Sequence, residues 1–91
     1  MYISEIRGNR QDITEDQSVL EMGEYGRYSV DGKWYCRPPE PGFGMGNLAA
    51  HDVVENNDGT ITVSPSILIT GHHGKTWHGY LQQGIWRKLS G

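Results

Sequence analysis

A chain of 91 residues has room for one domain and one hydrophobic core. Hydrophobic residues make up 35% of it and charged residues 21%, and three Trp and five Tyr supply large apolar surfaces, so the composition excludes a disordered chain. The net charge of −3 disfavours non-specific binding to duplex DNA. Because so small a core is marginal by itself, we expect a homo-oligomer. A single cysteine, Cys36, excludes a disulfide scaffold and favours a cytoplasmic location.

Charge is distributed unevenly along the chain. Residues 1–24 hold six acidic side chains and two arginines, whereas residues 61–91 hold no acid, two lysines, one arginine and three of the four histidines. The basic segment can form a patch that binds a small anion, or the two ends can lie against each other and neutralise. The sequence leaves both open. We expect no signal peptide and no membrane contact, because the apolar runs are short.

The first half of the chain predicts one strand, one helical turn and one hairpin. Residues 2–6 alternate between apolar and polar types, as a strand does. The acidic residues 12–22 predict a short helical turn. Its expected caps are Asp12 or Thr14, and its expected apolar side is Val19, Leu20 and Met22. Residues 27–30 and 33–36 flank Asp31-Gly32, which predicts a hairpin with a two-residue loop and positive φ at both loop positions.

The second half predicts a long loop followed by two hairpins. Residues 38–46 contain three prolines and three glycines, so we expect a loop that is functional or reaches a neighbouring subunit. The strands of the two hairpins are expected at 51–55 with 60–64, around the turn 56–59, and at 77–81 with 85–89, around the turn 82–84. Between these hairpins, Pro65 bends or ends a strand that resumes at 66–70. We therefore predict one all-β domain over 1–91, with six or seven strands, at most one short helix, and a hairpin core at 50–89. Its sheet is small and antiparallel or closes partly into a barrel.

The segment Thr60-Ile61-Thr62-Val63-Ser64-Pro65-Ser66-Ile67, followed by Trp77-His78-Gly79-Tyr80-Leu81 and then Gly84-Ile85-Trp86, resembles a group of small uncharacterised proteins from phages and prophages. The resemblance covers roughly residues 50–87. It implies a phage accessory protein that acts by binding in the cytoplasm of an infected bacterial host, for example against a host defence. Many members of that group carry a Cys-rich zinc knuckle, whereas this chain has no second cysteine near Cys36.

The turn Gly71-His72-His73-Gly74-Lys75 is the best candidate for a binding site. Its glycines allow backbone amides to converge on an anion, and the imidazoles and the ammonium group can neutralise a phosphate. The spacing does not match a nucleotide triphosphatase loop. We expect Arg87 to add charge, and Trp77 or Tyr80 to add a stacking surface, at a subunit interface. The leading hypothesis is sequestration of a small anionic nucleotide-type ligand; the alternative reading of the turn is a solvated hairpin end.

Other functions remain open at this point. A zinc-dependent hydrolase would draw its ligands from His73, His78, Cys36 and His51, although only the spacing of His73 and His78 loosely fits a structural zinc site. Otherwise, His78 hydrogen-bonds across its hairpin. No catalytic set is recognisable, since Ser64 and Ser66 are outside a nucleophile elbow, so we expect neither enzymatic activity nor a cofactor. A protein that inhibits a host factor, or a structural phage protein, would dock through residues 12–24 or 38–46. Trp77 and Trp86 are expected to form a cross-strand pair unless one of them binds ligand.

Overall fold

The computed structural model describes residues 2–89, which form ten strands and a single 3-10 turn, His72–Gly74. The strands are β1 (Tyr2–Arg7), β2 (Asn9–Arg10), β3 (Glu24–Arg27), β4 (Trp34–Cys36), β5 (Gly46–Asn47), β6 (Asp52–Glu55), β7 (Ile61–Ser64), β8 (Ile67–Thr70), β9 (Thr76–Gln82) and β10 (Ile85–Leu89). They make a terminal sheet of order β1-β10-β9-β8, a middle sheet of order β2-β3-β4-β5 and a separate β6–β7 hairpin. The predicted all-β class is confirmed, and within the described residues none of the sheets closes into a barrel.

One hydrophobic core lies between the terminal sheet, the middle sheet and the β6–β7 hairpin. Trp77 of β9 and Trp86 of β10 form its centre, where their rings meet edge to face at 5.2 Å, and each is 1% exposed. The indole Nε1 of Trp86 donates a hydrogen bond of 2.9 Å to the carbonyl of Gly23. This bond links the terminal sheet to the residue that precedes β3 of the middle sheet. Tyr25 and Cys36 of the middle sheet add to this core. The predicted tryptophan pair is thus confirmed.

The hairpin at Asp31-Gly32 forms, but its loop is longer than predicted. The last pair of the ladder is Tyr28 with Lys33, whose amide–carbonyl bond is 2.8 Å, so four residues make the loop and only Gly32 has positive φ. The Asp31 carboxylate accepts hydrogen bonds from the Lys33 amide and the Tyr35 hydroxyl, which stabilises this wider turn. The prediction of a two-residue loop is wrong here because hydrogen bonds from side chains compete with the turn preference of the backbone.

The other two hairpins are each shifted by one residue from their predicted register. In the β6–β7 hairpin, the amide of Asn56 bonds to the carbonyl of Thr60 at 2.7 Å, which leaves a three-residue loop with Gly59 at positive φ. In the β9–β10 hairpin, Gln82 pairs with Ile85. Its loop is therefore the two residues Gln83-Gly84, both with positive φ. This is the turn geometry that matches the twist of paired strands.

Pro65 lies between β7, a strand of the β6–β7 hairpin, and β8, a strand of the terminal sheet. β7 pairs with β6, whereas β8 pairs with β9 in the terminal sheet, so the strand that follows Pro65 does not continue the earlier ladder. The loop 38–46 is also confirmed as irregular up to Gly46, where β5 begins. This loop folds onto its own domain: Phe43 is buried in the core, and Glu40 forms an ion pair of 2.6 Å with Lys88.

The helical turn predicted at 12–22 is absent, and the segment is an irregular strap along the middle sheet. Ile13 forms a parallel bridge with Tyr28, and the carbonyl of Leu20 accepts a hydrogen bond from the Arg37 guanidinium. Ile13 and Leu20 are buried, whereas Val19 and Met22 are exposed. Hydrogen bonds to the rest of the fold satisfy this backbone and outweigh a weak helical preference. Within residues 2–89, no helix is long and apolar enough to cross a bilayer.

Candidate functional site

The turn Gly71–Lys75 is fastened to the loop 38–46 by its backbone. The amide of His72 donates to the carbonyl of Gly42 in that loop at 3.0 Å. Within the turn, the amide of Gly71 donates to the carbonyl of Lys75 at 2.7 Å, and the amide of Lys75 donates to the carbonyl of His72 at 3.2 Å. Three of the five amides are therefore occupied by backbone carbonyls, which reduces the number of donors that the predicted nest can offer to an anion. The side chains of His72, His73 and Lys75 remain exposed, and the Lys75 ammonium lies 5.8 Å from the centre of the Phe43 ring.

The aromatic and basic residues predicted to accompany this turn are divided between the two faces of the terminal sheet. Trp77 points into the core and is buried, so it offers no stacking surface. Tyr80 and Arg87 are directly opposite each other on β9 and β10, and their side chains lie on the face away from the core. Five residues of extended strand, about 17 Å, separate Tyr80 from Lys75. The structure therefore brings Tyr80 and Arg87 together and leaves the turn apart from them.

We call the face away from the core the outer face; it carries Tyr2, Glu5, Arg7, Leu68, His78, Tyr80 and Arg87. The Tyr2 and Tyr80 rings meet edge to face at 6.2 Å. The Arg87 guanidinium lies 5.7 Å from the centre of the Tyr2 ring and forms an ion pair of 2.5 Å with Glu5. Leu68, at one side of this face, is 65% exposed. An accessible surface thus combines two aromatic rings with a guanidinium.

The two ends of the chain do face each other, because β1 pairs with β10. The ion pair of Glu5 with Arg87 partly neutralises the basic C-terminal segment, and Lys88 is neutralised by Glu40. This is the second of the two arrangements that the charge distribution left open. Two arginines and one glutamate on the outer face still leave it with an excess of positive charge.

The candidate zinc ligands do not converge. Cys36 is fully buried in the core, and burial raises the pKa of its thiol to about 12, so the thiolate that a metal ion needs is costly to form there. His73 lies on the exposed turn, away from the core. Among residues 2–89, no three His, Cys, Asp or Glu side chains are placed to hold a metal ion together.

His51 and His78 both contact Ser66. The Nε2 atom of His78 lies 2.9 Å from the Ser66 hydroxyl, and the Nε2 atom of His51 lies 3.1 Å from the Ser66 carbonyl. The His78 contact links β9 to the residue that precedes β8, whereas the alternative to metal binding placed the hydrogen bond of His78 across the β9–β10 hairpin. Within the described part of the chain, no carboxylate hydrogen-bonds to either imidazole, so these residues do not make a catalytic triad.

A cavity that the sequence did not reveal lies between the irregular strap and the first hairpin loop. Its volume is about 290 Å³, and its lining comprises Asp12, Ile13, Thr14, Arg27, Tyr28, Ser29 and Gly32. The Arg10 guanidinium donates to the Asp12 carboxylate at 2.9 Å, and this hydrogen bond holds the pKa of Asp12 below its ordinary value. The cavity depends on the long-range bridge between Ile13 and Tyr28, for which the sequence carries no local signal.

Comparison with protein-family models, with curated proteins and with solved structures gives no match to this chain. A functional proposal for this chain therefore depends on the arrangement of its own residues.

Proposed function

We propose that the protein acts by binding, without catalysis, and sequesters a small anionic nucleotide-type ligand on the outer face of the terminal sheet. The observation that supports this is the placement of Tyr80 beside Arg87 on an accessible face. A base can stack on an aromatic ring, and a guanidinium forms strong paired hydrogen bonds with a phosphate. The proposed site is thereby moved from the Gly71–Lys75 turn to the strands that follow it.

Glu5 and Arg7 of β1 adjust the charge of the proposed site. Arg7 is opposite Ile85, so it is a diagonal neighbour of Arg87 on the same face, at a distance of about 7–8 Å or somewhat less between Cβ atoms. Glu5 holds the Arg87 guanidinium, and an incoming phosphate competes with this carboxylate. Capture breaks no covalent bond. In the phage setting that the sequence motif suggests, removing a nucleotide-type signal would blunt a host defence.

The test uses three probes that divide a nucleotide into its parts: AMP, adenosine and ribose 5-phosphate. We expect Arg87→Gln to weaken binding of AMP and of ribose 5-phosphate about tenfold and to leave adenosine unchanged, because one charged hydrogen-bond partner is lost. Tyr80→Leu should weaken AMP and adenosine but not ribose 5-phosphate, because only stacking is lost. Glu5→Gln should strengthen AMP binding, because it releases Arg87. Isothermal titration calorimetry measures the affinity of each of the three variants for each of the three probes, with the unaltered chain as the reference.

Lys75→Gln is the matched control, since it removes one positive charge from the Gly71–Lys75 turn and leaves the outer face intact. If Lys75→Gln weakens AMP binding as much as Arg87→Gln does, the ligand binds at the turn and the proposed site is wrong. If neither Arg87→Gln nor Tyr80→Leu changes any affinity, capture of a nucleotide-type anion on the outer face is refuted.

A second candidate function, docking of a basic partner protein, is supported by the cavity beside Asp12. The cavity is lined by both Asp12 and Arg27, and Arg10 neutralises the Asp12 carboxylate. The negative charge that a basic partner would meet comes from Glu15 and Asp16, which are exposed on the adjoining strap. Such a site suits an arginine or lysine side chain of a host or virion protein.

N-acetylarginine amide is the probe for this second candidate. We expect it to shift the NMR signals of residues 12–14 and 27–32, because a guanidinium is attracted to the acids around the cavity. The surface variant Glu15→Gln/Asp16→Asn should reduce these shifts severalfold, whereas Lys75→Gln should not. Shifts that stay unchanged in the double variant would exclude recognition through the acidic strap.

A further inference from the structure

β1 is the outermost strand of the terminal sheet and pairs with β10 on one side only. Five of its six side chains are exposed, and Ile6 is 43% exposed although it lies near the core. Proteins block edge strands with proline, with charged side chains, above all lysine, or with a bulge. β1 contains neither proline nor lysine, its two charged side chains, Glu5 and Arg7, are of opposite sign, and its bulge is confined to the end between Tyr2 and Ser4. Its second half is therefore a regular, open edge that another strand can extend.

The direction of the free backbone groups follows from the pairing with β10. Gly8 follows β1 and lies opposite Gly84, which is the next pair in the β1–β10 register. The amide of Gly8 donates to the carbonyl of Gly84 at 2.7 Å. In an antiparallel ladder, alternate residues direct both their N–H and C=O groups to the same neighbour. Ile6 therefore points its backbone groups toward β10, as Gly8 does, and Glu5 and Arg7 point theirs toward the open edge.

A second copy of β1 fits this edge in one register. Two strands related by a two-fold axis place one residue opposite itself. A centre at Glu5 or at Arg7 sets like charges opposite each other, which is destabilising, and a centre at Ser4 brings the bulge into the ladder. A centre at Ile6 instead sets Glu5 of each copy opposite Arg7 of the other.

In the Ile6-centred register, the backbone and the side chains agree. Glu5 and Arg7 have the outward N–H and C=O groups, so the two copies exchange four backbone hydrogen bonds at these positions. Their side chains lie on the outer face, and Arg7 has no ion pair with the described residues of its own chain. In each of two reciprocal ion pairs, Arg7 would share the Glu5 carboxylate of the other copy with Arg87 of that copy. The two Ile6 side chains meet at the closely spaced pair in the centre, on the opposite face.

We propose that the protein forms a two-fold dimer in which two β1 strands pair antiparallel about Ile6 and join two terminal sheets into one eight-stranded sheet. The dimer is closed, because each copy uses the same edge. One strand pair buries less than the roughly 1,600 Å² of a standard interface, so we expect a weak dimer that is populated at high protein concentration. The two outer faces become continuous across the axis. The inference stands on strand geometry and charge alone and does not depend on ligand capture.

Sedimentation velocity and native mass spectrometry test the dimer with two opposite charge reversals. Arg7→Glu sets two glutamates opposite each other, and Glu5→Arg sets two arginines opposite each other. We expect each variant to be folded by circular dichroism and to self-associate at least tenfold more weakly than the unaltered chain. An equimolar mixture of the two restores both ion pairs, so it should form a heterodimer of intermediate mass.

Lys33→Glu supplies the same change in net charge as Arg7→Glu, but at the first hairpin loop, away from β1, and it should dimerise like the unaltered chain. A wild-type protein that stays monomeric at the highest attainable concentration would overturn the proposal. So would charge-reversed variants that dimerise normally, or a Lys33→Glu variant that dissociates as they do. If both reversals dissociate the dimer but their mixture remains monomeric, the Ile6-centred register is wrong.

Discussion

Replacing Trp86 with alanine is expected to lower the free energy of unfolding by about 3–5 kcal/mol, as is usual for a large aromatic residue removed from a core. Trp86 is 1% exposed, packs edge to face on Trp77 and donates its indole hydrogen to the carbonyl of Gly23. The substitution therefore opens a cavity between the sheets and leaves a carbonyl without its partner. Since small domains are stable by only about 5 kcal/mol or somewhat more, the variant should retain roughly 0–2 kcal/mol of stability, and a substantial fraction of its molecules should be unfolded at about 25 °C.

Urea titration followed by far-UV circular dichroism measures this loss. Trp86→Phe is the graded comparison, because it keeps an aromatic ring in the core but removes the N–H donor, and it should cost less than half as much. Trp34→Ala is the control, since Trp34 is only half-buried and lies at the margin of the core. A Trp86→Ala protein with the stability of Trp34→Ala would show that the tryptophan pair is not the centre of the core.

Replacing Gly79 with alanine is the second large effect we expect, with a loss of roughly 2–3 kcal/mol or more. Gly79 lies in the middle of β9 on the core face, between Trp77 and Leu81. A Cβ there would lie 2.2 Å from the carbonyl oxygen of Arg87 and 2.8 Å from the Trp77 ring. Neither neighbour can move without disturbing the β9–β10 ladder or the tryptophan pair, because one is backbone and the other is fully buried. A single methyl group is thus enough to separate the two strands.

Gly44→Ala is the matched control for this substitution, since a Cβ at Gly44 meets no atom within 4 Å and its φ is not positive. Thermal unfolding of the two variants should show a fall of many degrees for Gly79→Ala and almost none for Gly44→Ala. Equal melting temperatures for the two proteins would mean that β9 and β10 have more room between them than the structure shows.

The sequence by itself determined the class of the fold and the positions of its hairpins, because these depend on neighbouring residues. Asp31-Gly32, Asp58-Gly59 and Gln83-Gly84 each place a glycine where the chain reverses with positive φ. The pairing of Trp77 with Trp86 was also predictable, since two large rings on one short hairpin share the only core available. The three prolines and three glycines of 38–46 excluded regular structure in the same local way.

The helical turn predicted at 12–22 failed because its competitors are distant in the sequence. Ile13 hydrogen-bonds with Arg27 and Ser29, and the carbonyl of Leu20 is bound by Arg37. No pattern within the segment indicates these partners. The cavity beside Asp12 was missed for the same reason, since it exists only where the strap crosses the first hairpin loop.

A shift of one residue in the pairing of β9 with β10 decided which side chains meet at the candidate site. The predicted loop 82–84 would have set Leu81 opposite Ile85, and therefore Tyr80 opposite Trp86. The two-residue loop Gln83-Gly84 instead sets Leu81 opposite Trp86 in the core and Tyr80 opposite Arg87 on the outer face. Because side chains alternate between faces, a shift of one residue reassigns every partner across the ladder. The sequence supplied the aromatic and basic residues, and the tertiary structure alone decided which of them meet.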